Sequence, residues 1–302
     1  MDLNGKRILV TGSSGFVGRH LLEELKRQNV EVVTLTDVKG NRIDIRDWHR
    51  IKEIEDIDMV YHLAAITYVP FSFDNPRKVY EVNVLGTLNI LELCRLHAIE
   101  KIVFASSYGY GQPKYLPIDE KHPVQPTNPY ARSKVMGENL CEAYYEDYGL
   151  KCVILRAFNI YGEGQSDNFL IPFILKQLLK GEIKLNDPEP KRDFLYIKDA
   201  ISAYVKAGEY NGSDFEIFNI GYDMSYSVDE IVRKLIVISG RNVRVSYRNK
   251  RRKNEMMNTV SDSRKAKEKL CWEARVGIDE GLKMVLKSYE VDGINNISRR
   301  LI

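Results

Sequence analysis

The sequence predicts an α/β fold organised on a parallel sheet, and three observations lead there. Short β-rich runs alternate with helical stretches through the first half of the 302-residue chain. Those runs are almost continuously apolar, as strands are when both faces of a sheet are covered. A glycine-rich turn, Thr11-Gly12-Ser13-Ser14-Gly15-Phe16-Val17-Gly18, joins the first run to the first helical stretch.

Each element follows from its local pattern. Strands are expected at Arg7–Val10, Glu31–Leu35, Met59–Leu63, Lys101–Ala105 and Cys152–Leu155. Between the first two, Val17, Leu21, Leu22 and Leu25 fall on one face of a helix. Val79–Leu96 and Ala131–Tyr148 read as longer helices. Further on, Phe173, Ile174, Leu178 and Leu179 mark a helix ended by Gly181. Asp193–Ile197 and Phe215–Ile220 are expected to return to the sheet. Two or three helices and a strand near Val243–Tyr247 complete the chain. The expected division is one large domain, residues 1–158 plus about 192–220, and a smaller C-terminal α/β domain, about 159–191 plus 221–302.

Composition removes several classes. At 44% hydrophobic and 29% charged, the chain can bury a core and is not a disordered polymer. Lys and Arg number 45 against 42 Asp and Glu, a net charge of +3, so neither nucleic acid nor an anionic membrane is an expected partner. Cys94, Cys141, Cys152 and Cys271 are scattered without zinc spacing, so no metal is expected and a reducing, cytoplasmic location is. Met1–Lys6 carries no targeting signal, and no apolar run approaches the roughly 20 residues of a membrane span.

The glycine turn is the strongest functional signal. Glycines at 12, 15 and 18 permit a tight turn, close approach of a pyrophosphate and close packing of helix on strand. The helix opened by Phe16 and Val17 would then aim free N–H groups and a partial positive charge at the phosphates. With a strand before it and a helix after it, the motif predicts a Rossmann-type, doubly wound dinucleotide-binding domain. Asp37 follows the second strand, where a carboxylate accepts the adenosine ribose hydroxyls and repels a 2′-phosphate, favouring NAD over NADP. The plainer reading is that Asp37 caps a turn. Asp44 and Ile45 are candidates to bracket the adenine.

Further stretches appear in a fixed order: Tyr61-His62-Leu63-Ala64-Ala65, Asn83-Val84-Leu85-Gly86-Thr87, Ala105-Ser106-Ser107, Tyr130-Ala131-Arg132-Ser133-Lys134, Arg156-Ala157-Phe158-Asn159-Ile160-Tyr161-Gly162 and Arg192-Asp193-Phe194-Leu195-Tyr196-Ile197-Lys198-Asp199. With the glycine turn, they resemble the extended short-chain dehydrogenases/reductases, in the NAD-dependent epimerase/dehydratase family acting on nucleotide sugars. The resemblance implies that Leu63, Ala64, Ala65 and Asn83 line the cofactor site. It implies an acid/base Tyr130, a Lys134 that also holds the cofactor, and Ser106 as the hydroxyl that aligns the sugar.

The spacing of Tyr130 and Lys134 places both on one helical face, a turn apart. A phenol with an ordinary pKa near 10 is a poor base at pH 7, and a neighbouring cation favours the phenolate. Dehydratases of the family carry Asp-Glu directly after the Ser/Thr; here Ser107-Tyr108 stands there. With no carboxylate to expel water or assist loss of CO₂, epimerisation is the reading left. Tyr108 either contacts the sugar or packs beside the site.

For the substrate, the resemblance points to Ser107, Tyr108 and Asn159, to Arg192 and Arg252 as diphosphate clamps, and to Thr259 as a gate beside the hexose 2-substituent. A small residue at that gate would admit an N-acetyl group. The implied activity is inversion at C4 of a UDP-hexose or UDP-N-acetylhexosamine through a transient 4-ketone. A GDP- or dTDP-sugar reductase or dehydratase is the alternative enzyme, and a non-catalytic dinucleotide sensor the alternative of another class. The family also implies a homodimer in which the helices at Val79–Leu96 and Ala131–Tyr148 form a four-helix bundle.

Overall fold

The computed structural model describes residues 2–37, 39–251 and 255–298, with side chains as far as 290. The first half runs β1 (Arg7–Thr11), α1 (Phe16–Arg27), β2 (Glu31–Thr34), α2 (Trp48–Ile51), β3 (Met59–His62), α3 (Val69–Asp74) and α4 (Pro76–Tyr80). A π-helical turn, Glu81–Leu85, leads into α5 (Gly86–Leu96), followed by β4 (Lys101–Ser107), α6 (Pro129–Tyr148) and β5 (Lys151–Ala157). The second half comprises β6 (Asn159–Tyr161), α7 (Leu170–Leu178), β7 (Glu182–Leu185), β8 (Lys191–Tyr196), α8 (Ile197–Glu209) and β9 (Phe215–Ile220). Then come β10 (Ser225–Ser227), α9 (Val228–Ser239), β11 (Arg244–Tyr247), α10 (Arg264–Leu270) and α11 (Ile278–Ser298).

The main sheet is parallel, in the order β2-β1-β3-β4-β5-β9. Its interior strands are buried on both faces, which explains their unbroken apolar runs. One face is covered by α1 and α8 through Leu21, Leu25 and Tyr204, in a core that continues into the C-terminal lobe. The other is covered by α2, α5 and α6 through Ile51, Ile90, Leu93 and Cys141. The chain leaves β1 for β2 on one side and returns to β3 on the other, so a crevice opens between the carboxyl ends of β1 and β3. The glycine turn lies at that crevice.

Two expectations are corrected. The run beginning at Asp193 does not rejoin the main sheet: β8 pairs with β6 and β10 in a separate three-stranded sheet. Its sequence looks like a central strand because Phe194, Leu195 and Tyr196 are buried under α8, α11 and Tyr161 rather than by flanking strands of the main sheet. The helix expected over Val79–Leu96 forms, but it begins earlier, at Pro76, and winds through a π-helical turn at Glu81–Leu85, which carries Asn83. A short parallel pair, β7 with β11, completes the C-terminal lobe. Among the described residues no helix is long and apolar enough to cross a membrane.

Candidate active site

The glycine turn has the shape that a dinucleotide cradle requires. Gly12 sits at φ +69°, where an added Cβ would lie 2.7 Å from the Ala64 backbone nitrogen. A Cβ on Gly18 would lie 2.2 Å from the Gly12 carbonyl oxygen. Both positions therefore exclude any side chain, one by conformation and contact, the other by contact alone. Gly15 is the N-cap of α1, and no side chain caps the helix, so the first N–H groups, from Phe16 and Val17 onward, have no side-chain acceptor. No acidic residue stands in the first turn of α1. The turn fits a pyrophosphate on both counts.

A buried polar chain fixes the crevice. The Thr87 hydroxyl donates to the Asn83 carbonyl at 2.6 Å, so its one hydrogen is used. His62 Nε2, 2.9 Å from that hydroxyl, must then be the donor. His62 Nδ1 therefore accepts from Thr11 Oγ1 at 2.7 Å, and Thr11 Oγ1 accepts the Ala64 N–H at 3.2 Å. Burial pulls the imidazole down to about 3, so it is neutral, as this pattern needs. The chain ties the ends of β1 and β3 to α5 and sets Leu63, Ala64 and Ala65 beside Gly12. Sequence reasoning quoted His62 but gave it no role; its signal was a polar residue at the end of a fully buried strand.

Asn83 stands differently from the expectation. Its Oδ1 accepts the Ile66 N–H at 2.7 Å, and its Nδ2 donates to the Ile66 carbonyl at 3.0 Å and to Ser133 Oγ at 2.8 Å. Ser133 Oγ in turn donates to the Tyr130 carbonyl at 2.7 Å. Both amide hydrogens go to protein, so Asn83 holds the wall of the crevice to α6 rather than reaching into it. On the far side, Ile45 is buried against Gly86, and Asp44 is paired with Arg46 at 2.6 Å, which holds its carboxyl down at about 2. Asp37 accepts bonds from its own turn and from Arg50 at 2.8 Å.

Tyr130 and Lys134 open α6, whose start is capped by Asn128 accepting the Ala131 N–H at 2.8 Å. Strand alternation at the end of β4 decides which serine meets them. Ser107 stands on the side of Tyr130, close enough for its hydroxyl to favour the phenolate. Ser106 points the other way, buried, and donates to Glu138. Ser106 is thus turned away from Tyr130, against the expectation that it shares the sugar hydroxyl with it, and Ser107 takes that side. Burial pushes the Tyr130 phenol up to about 12, with the Ser107 hydroxyl opposing. Burial brings Lys134 down to about 8, and the nearby Cys141 and Glu138 oppose that fall. The Lys134 ammonium lies 4.3 Å from the centre of the Phe104 ring, a favourable cation–π contact.

The substrate side forms a second cluster. Tyr108 stacks on Phe158 at 4.9 Å and donates to Asn159 Oδ1 at 2.9 Å. Asn159 Nδ2 donates to the Asp193 carbonyl at 2.9 Å, which joins β6 to β8. Arg192 lies close enough to Tyr108 to favour its phenolate, though burial outweighs this and raises the phenol. Its guanidinium is engaged by the Glu255 carboxylate and by the Met256 carbonyl at 2.6 Å. Arg192 as observed is therefore an ion-paired side chain, not a free clamp. Thr259 is fully buried, and its hydroxyl has no hydrogen-bond partner. Arg252 lies outside the described residues. Among the described residues there is no group of His, Cys, Asp and Glu arranged to hold a metal ion.

Residues 8–221 match the NAD dependent epimerase/dehydratase family. The chain is 37% identical over 303 residues to a putative UDP-glucose 4-epimerase of Methanocaldococcus jannaschii, covering 92% of this chain and 97% of that protein. It is 29% identical to the GDP-6-deoxy-D-mannose reductase of Pseudomonas aeruginosa, covering 94% and 97%. Its fold superposes with a TM-score of 0.89 on the UDP-glucose 4-epimerase of Thermotoga maritima solved with UDP-glucose, at 29% identity and 95% and 99% coverage. The chain belongs to the NAD-dependent epimerase/dehydratase family, and its cofactor is NAD.

Proposed function

We propose that this protein is a nucleotide-sugar 4-epimerase acting on a UDP-hexose or UDP-N-acetylhexosamine. One observation carries the reading: Ser107, at the end of β4, stands beside Tyr130, Lys134 stands a turn further along α6, and the residue after Ser107 is the phenol of Tyr108, not a carboxylate. Relatives of this name support it.

The residues divide the work. Tyr130 takes the proton of the sugar 4-hydroxyl and later returns it. Ser107 bonds the same oxygen and holds it in line with the phenol. A phenol at about 12 is a weak base at neutral pH, so positive charge nearby must bring it down. Lys134 supplies part of that charge from the same helical face. NAD, when bound, would supply the hydride acceptor and donor for C4. The glycine cradle and the α1 N-terminus would hold its pyrophosphate, and Ile45 and Asp44 would flank the adenosine. Asn159 and Tyr108 meet the sugar, and Arg192, once released from Glu255, meets the diphosphate. The ketone passes no further because the two residues after Ser107, Tyr108 and Gly109, offer no carboxylate that could abstract the C5 proton.

The pairing surface is expected on α5 and α6, where Leu88, Leu96, Met136 and Tyr148 stay exposed. A two-fold axis there would cover them in a four-helix bundle. Three buried free cysteines, Cys94, Cys141 and Cys152, suit a reducing cytoplasm.

The test is incubation with UDP-, GDP- and dTDP-sugars without added cofactor, followed by proton NMR. Inversion of the C4 proton signal on a UDP-sugar is expected. A new methyl doublet would establish dehydration instead. Tyr130→Phe should lower kcat by roughly 10²–10⁴-fold and leave thermal stability intact; full activity in that variant sinks the assignment.

A further inference from the structure

We infer that Arg50 fits the adenosine end of the cofactor cleft for a 2′-phosphate, so that this chain binds NADP as well as NAD. The inference rests on the cofactor reading of the glycine cradle. A carboxylate after the second strand excludes NADP only if its charge is uncompensated and its lone pairs face the ribose. Asp37 meets neither condition.

Its Oδ1 accepts the N–H groups of Lys39 at 2.9 Å and Asn41 at 2.8 Å. Its Oδ2 accepts Asn41 Nδ2 at 3.1 Å and Arg50 Nη2 at 2.8 Å. A carboxylate offers about four lone-pair sites, and here each is taken. The backbone closes the same turn: the Asp37 N–H donates to the Asn41 carbonyl, and Gly40 N–H to the Asp37 carbonyl, both at 2.8 Å, with Gly40 at φ +80°. These bonds hold the Asp37 carboxyl below its ordinary range. The carboxylate is thus the organiser of a turn and one half of an ion pair.

Arg50 reaches it from α2, whose first turn is fixed by the Asp47 side chain accepting the Arg50 N–H. The Arg50 side chain remains 40% exposed and Asp37 24%, so the guanidinium sits at the lip of the cleft, not sealed within it. Lys39 and Arg42, both exposed, stand on the same turn. Asp44, the next carboxylate along the chain, is already neutralised by Arg46. The segment thus carries three cations, Lys39, Arg42 and Arg50, against one partnered anion, Asp37. A 2′-phosphate arriving there meets net positive charge, and a planar guanidinium can take it by two parallel bonds. Ribose hydroxyls of NAD can instead displace Asn41 Nδ2 and Arg50 from Oδ2. One pair serves both ligands.

The test is calorimetric titration of the full-length protein, cleared of bound nucleotide by dialysis, with NAD and NADP in separate runs. We expect the two Kd values to agree within tenfold. Arg50→Gln should weaken NADP at least fivefold relative to NAD, and Arg50→Lys should restore most of that loss. An NADP Kd more than tenfold above that of NAD, or a smaller relative shift in Arg50→Gln, overturns the inference and leaves the NAD site standing. Failure of NAD itself to bind removes the cradle reading and this inference together. Circular dichroism of Arg50→Gln confirms the fold, which a surface change in a four-residue helix should not disturb.

Discussion

Removing the carboxylate of Glu138 is the perturbation whose size can be worked most directly. Glu138 and Arg156 form an ion pair with side chains only 5% and 8% exposed. Arg156 Nε lies 3.0 and 3.1 Å from the two carboxylate oxygens, and Nη2 lies 2.6 Å from one of them. Ser106 donates to the same carboxylate, and Arg156 Nη1 donates to the Tyr110 hydroxyl at 2.9 Å, which itself donates to Asn219 Oδ1 at 2.6 Å. In Glu138→Leu the guanidinium stays buried without its anion, a loss of about 3–5 kcal/mol. At about 2–3 °C per kcal/mol for a chain of this length, the midpoint of thermal unfolding should fall by ~6–15 °C. The double variant Glu138→Leu/Arg156→Met replaces both charges with apolar volume and should recover more than half of that fall. Thermal melts followed by circular dichroism compare the three proteins. A single variant that loses less than about 1 kcal/mol, or a double variant no more stable than the single, refutes the argument that the pair matters through an uncompensated charge. The folded double variant also reports on Lys134. Glu138 opposes the burial that lowers Lys134 to about 8. Without it the ammonium deprotonates at lower pH, and the alkaline limb of kcat should move toward neutrality.

Three further outcomes are expected. Asp193 is buried, and its pKa is raised to about 6, chiefly by burial; Ser261 Oγ lies 2.6 Å from both Asp193 and Asp223, and one hydroxyl hydrogen cannot serve two carboxylates, so a carboxyl proton completes the set. The folded state thus binds a proton that the unfolded state gives up near pH 4, so the contribution of Asp193 is complete below that pH and is lost, by about 3 kcal/mol, as the pH rises through about 6; Asp193→Asn should flatten that stretch of a urea-stability profile, and an unchanged slope counts against it. Leu88→Glu should place a charge on the exposed apolar face of α5 and yield monomers by light scattering, whereas an unaltered dimer would put the interface elsewhere. Thr259 has no exposed surface, so Thr259→Tyr should overpack the lobe and lower turnover of plain and N-acetylated hexoses alike; loss on the N-acetylated sugar alone would show that the position gates the pocket.

Much of this site was legible because its chemistry is carried by short local patterns. Gly12 and Gly18 are readable in sequence because their contacts leave no room for a Cβ, and Tyr130 with Lys134 because helical spacing places them together. The errors lie where the deciding partner is distant in sequence. Ser106 and Ser107 are chemically alike, and only the pleat of β4 against α6 separates them, sending one to Glu138 and the other to Tyr130. Asn83 looks like a ligand-facing amide until Ser133, fifty residues on, takes its second hydrogen. Asp193–Ile197 reads as a strand of the main sheet because apolar runs do not say which sheet buries them. His62 was visible, but its role depends on hydrogens distributed over Thr11, Thr87 and Asn83 together.

The same distant partners explain why the protein can separate epimerisation from its neighbours' chemistry. Tyr108 stands where a carboxylate would promote loss of water, and its position is fixed by stacking on Phe158 and by Asn159, which is itself tied to Asp193. Asp193 in turn binds the Tyr222, Asp223 and Ser261 N–H groups, drawing three segments of the C-terminal lobe onto β8. The Tyr108 phenol is therefore held from the C-terminal lobe, while Tyr130 itself is held within the main-sheet lobe through Ser133 and Asn83. Substituting Tyr108 by Glu would supply the missing carboxylate but bury a charge against Phe158, where burial outweighs the help of Arg192, and Glu255 and Asp193 add repulsion. That acid would stay protonated near neutral pH. Tyr108→Glu should accordingly lose epimerase activity without gaining dehydration, and a methyl doublet from this variant would show that one side chain alone separates the two reactions.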